Sequence, residues 1–261
     1  MENHDSDVLF ERRGPVAWVT FNRPRSRNAM TFAMYDRLAQ ICGEVEADPE
    51  IRVLVLTGAG DKAFVAGTDI SQFQTFTDPR HALEYEEHMD SVLGRLDSVA
   101  RPTIAAIRGY AVGGGASIAL ACDMRYCAPD ARLGVPIART LGNCLSMNNY
   151  ARLVDLIGPA RTKELIYLAK MIEADELKAL GLANEIVEPD RLEARVQEVA
   201  EQIAGHAPLT IQVTKESIRR LQVHRRLPRA EDLVLKAYMS DDFHEGVHAF
   251  LEKRKPAWKG S

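Results

Sequence analysis

The segment that most restricts the fold is residues 51–57, IRVLVLT, which apart from Arg52 and the final threonine is an unbroken apolar and largely β-branched run. Successive side chains of a strand point to opposite faces, so a strand without polar alternation needs cover on both. Such a strand belongs inside a mainly parallel sheet with other layers above and below. Residues 102–107 repeat the pattern. Around these two runs, short β-type segments alternate with helical stretches. Residues 8–12 and 16–21 are expected as strands joined at Gly14-Pro15, and 123–127 and 132–133 as further short strands. Thr31 is placed to cap a helix ending near Ala47, whose Ala33, Leu38, Ile41 and Val45 recur near helical spacing. A second helix is expected over 79–98, and a glycine loop, 109–115, opens a third that ends at Ala121. The expected class is α/β.

Beyond about residue 145 the pattern is mostly helical, with one short strand near 183–187. The chain is therefore divided into a core, 1–200, and a C-terminal helical region, 201–261. Leu233, Val234, Leu235, Tyr238, Phe243 and Phe250 of that region need an apolar surface, supplied by the core or by a second copy. No low-complexity linker and no internal sequence repeat is visible.

With 46% hydrophobic residues and a net charge of −4, nothing global asks for nucleic acid or an anionic membrane. Any anionic ligand must be held by local basic clusters. No apolar run approaches the roughly 20 residues of a membrane span. The opening MENHDSDVLFERRG lacks a signal-peptide core, so a cytoplasmic location is expected. Cys42, Cys122, Cys127 and Cys144 form no C-x-x-C pair and no zinc-type spacing, which suits reduced thiols and no metal.

Two glycine-bearing segments carry chemistry. Lys62–Ile70 (KAFVAGTDI) follows the 51–57 strand, and its small Ala66 and Gly67 let a ligand approach the main chain, while Asp69 is placed to cap the next turn. Arg108–Ser117 (RGYAVGGGAS) presents unobstructed N–H groups at a helix N-terminus, which suits a phosphate or a developing oxyanion. Glycines needed only for close helix–strand packing would look the same. No Lys-Ser/Thr pair follows, and the dinucleotide-binding spacing is absent.

Five segments in order then resemble the crotonase (enoyl-CoA hydratase/isomerase) superfamily along essentially the whole chain. They are Phe21-Asn22-Arg23-Pro24 with Asn28-Ala29-Met30, Phe64 to Ile70, Gly109 to Gly115 with Cys122-Asp123, Leu180-Gly181-Leu182-Ala183, and Asp242 to Gly246 with Ala249 to Arg254. The resemblance implies a ββα spiral core with a C-terminal helical trimerisation region, as a homotrimer or dimer of trimers. It also implies an acyl-CoA thioester substrate that itself brings the coenzyme A, with no separate cofactor. The backbone N–H groups of Thr68 and Gly114 would form the oxyanion hole. Arg25, Arg27, Ala66, Asp69 and Ile70 would line the coenzyme A path, and Phe250 and Lys253 match positions that reach a neighbouring subunit's coenzyme A.

The chain departs from the hydratase pattern where that pattern carries two glutamates, one activating water and one exchanging a proton at the α-carbon. Those positions hold Ser117 and Ile137, so ordinary hydration is not expected. The following stretch brings Arg139, Asn143, Cys144 and Asn148 as replacements bordering the acyl pocket. Cys144 is either a nucleophile or a buried thiol, and it has no evident partner base. On the 79–98 helix, Tyr85 and His88 are three apart, so His88 is a candidate proton carrier over the acyl group. An inactive acyl-CoA-binding scaffold is the alternative reading.

Overall fold

The computed structural model describes residues 7–223 and 231–259, so the start of the polar N-terminal stretch lies outside them. β1 (Val8–Arg13) and β2 (Val16–Phe21) pair as an antiparallel hairpin around Gly14. α1 (Phe32–Ala47) follows, and the Thr31 hydroxyl accepts from the Met34 N–H at its start. The chain then repeats one figure three times: a strand in a first sheet, a short strand in a second, and a helix. β3 (Val53–Gly58), β4 (Ala63–Val65) and α2 (Pro79–Ser98) make the first turn. β5 (Thr103–Ile107), β6 (Tyr110–Val112) and α3 (Gly114–Ala121) make the second. β7 (Met124–Cys127), β8 (Arg132–Gly134) and α4 (Ile137–Thr140) make the third. After the spiral come α5 (Met147–Tyr167), interrupted at Gly158, then β9 (Met171–Glu173), α6 (Ala174–Ala179) and β10 (Glu185–Ile186). α7 (Leu192–Ala204), α8 (Pro208–Val223), α9 (Glu231–Tyr238) and α10 (Asp241–Leu251) close the chain.

The first sheet runs β1-β2-β3-β5-β7-β10 and is parallel from β2 onward. The second runs β4-β6-β8-β9, with only β9 antiparallel. Of this second sheet, sequence reading located only the strand at 132–133, although the resemblance implied a ββα repeat. Its strands are three residues each, too short to show a period of two, and β6 sits inside what reads as a single glycine loop.

The two-sided burial expected for 51–57 is real. Leu54 and Leu56 face Phe64, Ala105 and Ile107 in the main core. Val53 and Val55 face the other way, onto Trp18, Ile104 and the Val196 and Ala200 side of α7. A third, aromatic cluster joins Phe73, Phe76, Tyr238, Phe243 and Val247. Through it α9 and α10 pack against α2 and the 3-10 turn Ile70–Thr75 of their own chain. Leu233 and Phe250 stay about half exposed. Nothing on α8 is buried, and Leu209, Val213 and Leu221 are each more than 60% exposed. Among the described residues no helix is long and apolar enough to cross a membrane.

Arg125, on β7, is 5% exposed, and its guanidinium donates to Leu182 O (2.5 Å), Ala119 O (3.2 Å) and Cys122 O (2.8 Å). It thereby ties the end of α3 to the crossover before β10. Arg125→Met keeps the apolar stem but strands buried carbonyls, and an unsatisfied buried acceptor costs about 1–3 kcal/mol. We expect a loss of at least about 2 kcal/mol in urea unfolding; a change within about 0.5 kcal/mol, ordinary for a surface site, would refute this account.

Candidate active site

The site grows from the direction of one peptide. Met30 N–H donates to Gly67 O (2.8 Å) and Asp69 N–H donates to Met30 O (2.8 Å), a parallel bridge that leaves the intervening Thr68 N–H turned the other way. Asn28 holds the strip from behind. Its side-chain amide donates to Ala59 O (3.0 Å) and Ala63 O (2.8 Å), and its carbonyl oxygen accepts from Arg23 N–H.

Opposite lies the start of α3. Gly113, with φ +53° and ψ −116°, makes the turn that only glycine takes easily, and Gly115 lies so close to β4 that a Cβ there would sit 2.1 Å from Val65 O. Gly114 stands between them, and a Cβ on it would lie 3.6 Å from Thr68 N. The N–H groups of Thr68 and Gly114 are thus neighbours, and among the described residues neither donates to a protein acceptor. Thr68 is buried and Gly114 is half-buried at the start of α3, where N–H groups have no partner within the helix, so both donors are free to meet an incoming oxygen. Thr68 Oγ1 is fixed by Tyr35 Oη (3.0 Å) and Tyr85 Oη (3.1 Å). Burial pushes the Tyr35 hydroxyl up to about 12 and raises Tyr85 well above its ordinary value, so both stay protonated.

Both amides border a cavity of about 480 Å³. Its walls include Ala66, Gly67, Asp69 and Ile70, with Ser117 and Ile137 side by side with Pro136 and Asn143. At the positions expected to hold carboxylates the cavity therefore presents a hydroxyl and a hydrocarbon. Arg27 also borders it, with its guanidinium 5.9 Å from the Tyr110 ring centre, and so does Phe250 of this same chain. Arg25 is exposed and outside the cavity wall, as is Lys253. Asp69 caps the turn Ile70–Thr75 and pairs with Arg23 at 3.1 Å. Burial pushes its pKa up, but Ser71 and Arg23 outweigh that and hold it below the usual value.

Cys144 is partly covered, and burial pushes its thiol up to about 12, which leaves no thiolate to act as nucleophile. Arg139 is exposed. Asn148 donates to Asp90 Oδ2 (2.9 Å) outside the cavity wall. The structure does not bring His88 to the site. The inner face of α2 is set by Tyr85, Glu86, Met89 and Leu93, and His88 turns toward α1, with Nε2 3.1 Å from Asp36.

In its place the helix presents Glu86, which sequence reading passed over. Glu86 is 8% exposed and lines the cavity. Tyr238 Oη donates to its Oε1 (2.6 Å), and Asn143 Nδ2 donates to that same Tyr238 oxygen (3.2 Å), while Asn143 Oδ1 is buried without a partner. Burial pushes Glu86 up to about 7; the Tyr238 bond pulls it down and the Asp90 charge adds to the rise. A signal was present in the sequence, since Ala82, Glu86, Met89 and Leu93 fall at spacings of four, three and four, which puts a carboxylate in an apolar stripe.

The sign of the stability effect follows. Below pH 4.5 Glu86 is protonated in both the folded and unfolded chain; as pH rises toward 7 the unfolded chain releases the proton and the folded one keeps it, so stability falls. Glu86→Gln removes that loss and still accepts from Tyr238. We expect the variant to match the parent near pH 4 and to exceed it by about 3 kcal/mol at pH 8 in chemical unfolding. A constant difference across that range would contradict the burial of the charge.

The family model for enoyl-CoA hydratase/isomerase matches residues 11–261. The short-chain-enoyl-CoA hydratase of Clostridium acetobutylicum is 35% identical over 253 residues, covering 96% of each chain. The (E)-benzylidenesuccinyl-CoA hydratase of Thauera aromatica is 34% identical over 260 residues, 97% of this chain and 99% of that one. Among solved structures, methylmalonyl-CoA decarboxylase in complex with 2-nitronate-propionyl-CoA superposes with a TM-score of 0.87 at 29% identity, over 97% of this chain and 98% of that one. With a spiral of two sheets, two adjacent main-chain donors unpaired among the described residues, and relatives matched from end to end, the chain belongs to the crotonase (enoyl-CoA hydratase/isomerase) superfamily.

Proposed function

We propose that this protein is an acyl-CoA enzyme that binds a thioester carbonyl between the Thr68 and Gly114 amides and stabilises the enolate formed from it. The observation that carries this reading is the pair of adjacent main-chain donors bordering the cavity, neither with a protein acceptor among the described residues. An enolate gathers negative charge on one oxygen. Fixed amides at a helix N-terminus meet that charge without reorganising, each worth about 2.7–4 kcal/mol in the transition state.

Coenzyme A arrives as part of the substrate. Arg27 beside Tyr110 supplies a cation at the cavity wall for its phosphates, with Arg25 on the same exposed turn. The chemistry differs from two-glutamate hydration because Ser117 and Ile137 cannot exchange protons near neutral pH. The active assembly is a homotrimer or a dimer of trimers. The bare apolar side of α8, with Leu209, Val213 and Leu221, supports burial against further copies.

Three measurements test this reading. Crotonyl-CoA hydration, followed by absorbance, should be at least about 100-fold slower than in a two-glutamate relative, since one positioned acid or base is worth about 10²–10⁴. A rate equal to that relative's would overturn the departure from hydration. Gly114→Ala places a Cβ 2.2 Å from Tyr35 Oη, and we expect turnover of the best acyl-CoA in a panel to drop by about 10²–10³; full activity would remove Gly114 from the site. Sedimentation at micromolar concentration should show trimers or hexamers, and a monomer would refute the assembly.

A further inference from the structure

Resting on the enolate reading above, we propose that Glu86 is the proton-transfer group for the α-carbon of the bound thioester, held in place by Tyr238 of the C-terminal region. The two positions that would carry carboxylates are a serine and an isoleucine, and both border the same cavity as Glu86. The other carboxylate on the wall, Asp69, is engaged by its cap and by Arg23. Tyr35 and Tyr85 are bound to Thr68 Oγ1, and Cys144 holds its proton tightly. Glu86 remains as the group able both to take and to return a proton near neutral pH.

Its surroundings suit that task. On its own helix it faces Tyr85 and Asp90, from α9 it meets Tyr238, and Tyr35, Cys144 and Tyr150 are the ionisable groups nearest it on α1, the preceding loop and α5. No cation is among them, so its ionised form rests on the single Tyr238 bond, itself backed by Asn143. A second cavity, of about 770 Å³, also has Glu86 in its wall, together with the exposed Glu87 and Glu231.

The step balances without a co-reactant. The Cα–H bond breaks and its proton goes to the Glu86 carboxylate. The electron pair moves into the carbon–carbon bond next to the carbonyl, and the charge comes to rest on the thioester oxygen between Thr68 and Gly114. The proton then returns to Cα or, when a double bond lies beyond, is delivered to the γ-carbon.

The test is exchange of solvent deuterium into the Cα position of butyryl-CoA, read by mass spectrometry from pH 5 to 9, with calorimetric binding of butyryl-CoA measured in parallel. Wild-type protein should incorporate deuterium with a midpoint near pH 7. Glu86→Gln should still bind butyryl-CoA measurably, and at saturation exchange at least about 100-fold more slowly. Tyr238→Phe removes the bond that favours the carboxylate, so its midpoint should move to higher pH, which a purely structural Tyr238 would not produce. Glu86→Asp, should Gln perturb folding in a thermal melt, keeps the acid and should retain measurable exchange.

The outcomes separate. Exchange lost in Gly114→Ala but kept in Glu86→Gln overturns the role of Glu86 and leaves the enolate reading standing. Exchange unchanged in Gly114→Ala, or no binding by the wild type, overturns the enolate reading itself. Binding without exchange in the wild type overturns the proposal for Glu86.

Discussion

The site depends on a two-bond bridge between Met30 and the Gly67–Asp69 strip. An extended backbone turns its peptide groups alternately to either side, so fixing the neighbours of Thr68 fixes where its amide points. That bridge needs the left-handed turn at Arg27 and Asn28, with φ of +51° and +57°, and the Asn28 side chain that satisfies two carbonyls behind it. The opposing amide needs three successive glycines, each for its own reason: a backbone angle at Gly113, the close approach of the Tyr35 hydroxyl at Gly114, and contact with Val65 at Gly115. Nothing in the pair is a side chain. Substitution around the cavity can therefore change proton handling while leaving the two main-chain donors untouched.

This division explains how one family holds relatives named as hydratases and a close structural neighbour named as a decarboxylase. The spiral supplies the donors, and helices α2, α4 and α9 supply what surrounds them. In this chain α4 contributes Ile137, α3 contributes Ser117, and a carboxylate instead descends from α2. Packing α9 and α10 on the aromatic cluster of Phe73, Phe76 and Phe243 places Tyr238 on that carboxylate. The C-terminal helices thus form part of the wall, joined to the core through side chains of their own chain.

Much of this was legible in the sequence. The 51–57 run announced a two-sided strand, and Thr31 and the 79–98 pattern located helices whose bounds the structure reproduces. Gly113 to Gly115 and Thr68 could be matched by order and spacing. The rest of the second sheet, beyond the strand at 132–133, was hidden because three-residue strands carry no period, and on α2 the reading found Tyr85 but took His88, two positions from Glu86, as the proton carrier. His88 drew attention as a histidine, while Glu86 lay within the apolar stripe and looked like one more surface charge. Choosing between them required knowing that Ala82, Met89 and Leu93 mark the buried side, and that Tyr238, 152 positions away, would reach it.

Arg125 carries a consequence beyond holding carbonyls together. Its guanidinium sits at the carboxyl end of α3, bonded to Ala119 O and Cys122 O, while the amide of Gly114 stands at the other end. Eight residues of helix span about 12 Å. A fixed positive charge at that distance raises the electrical potential at an anionic oxygen by about 1 kcal/mol per unit charge at an effective dielectric of about 20. A residue outside the cavity wall thus biases the ionisation of any group held in it, and the same buried cation that seals the core sets part of the local voltage.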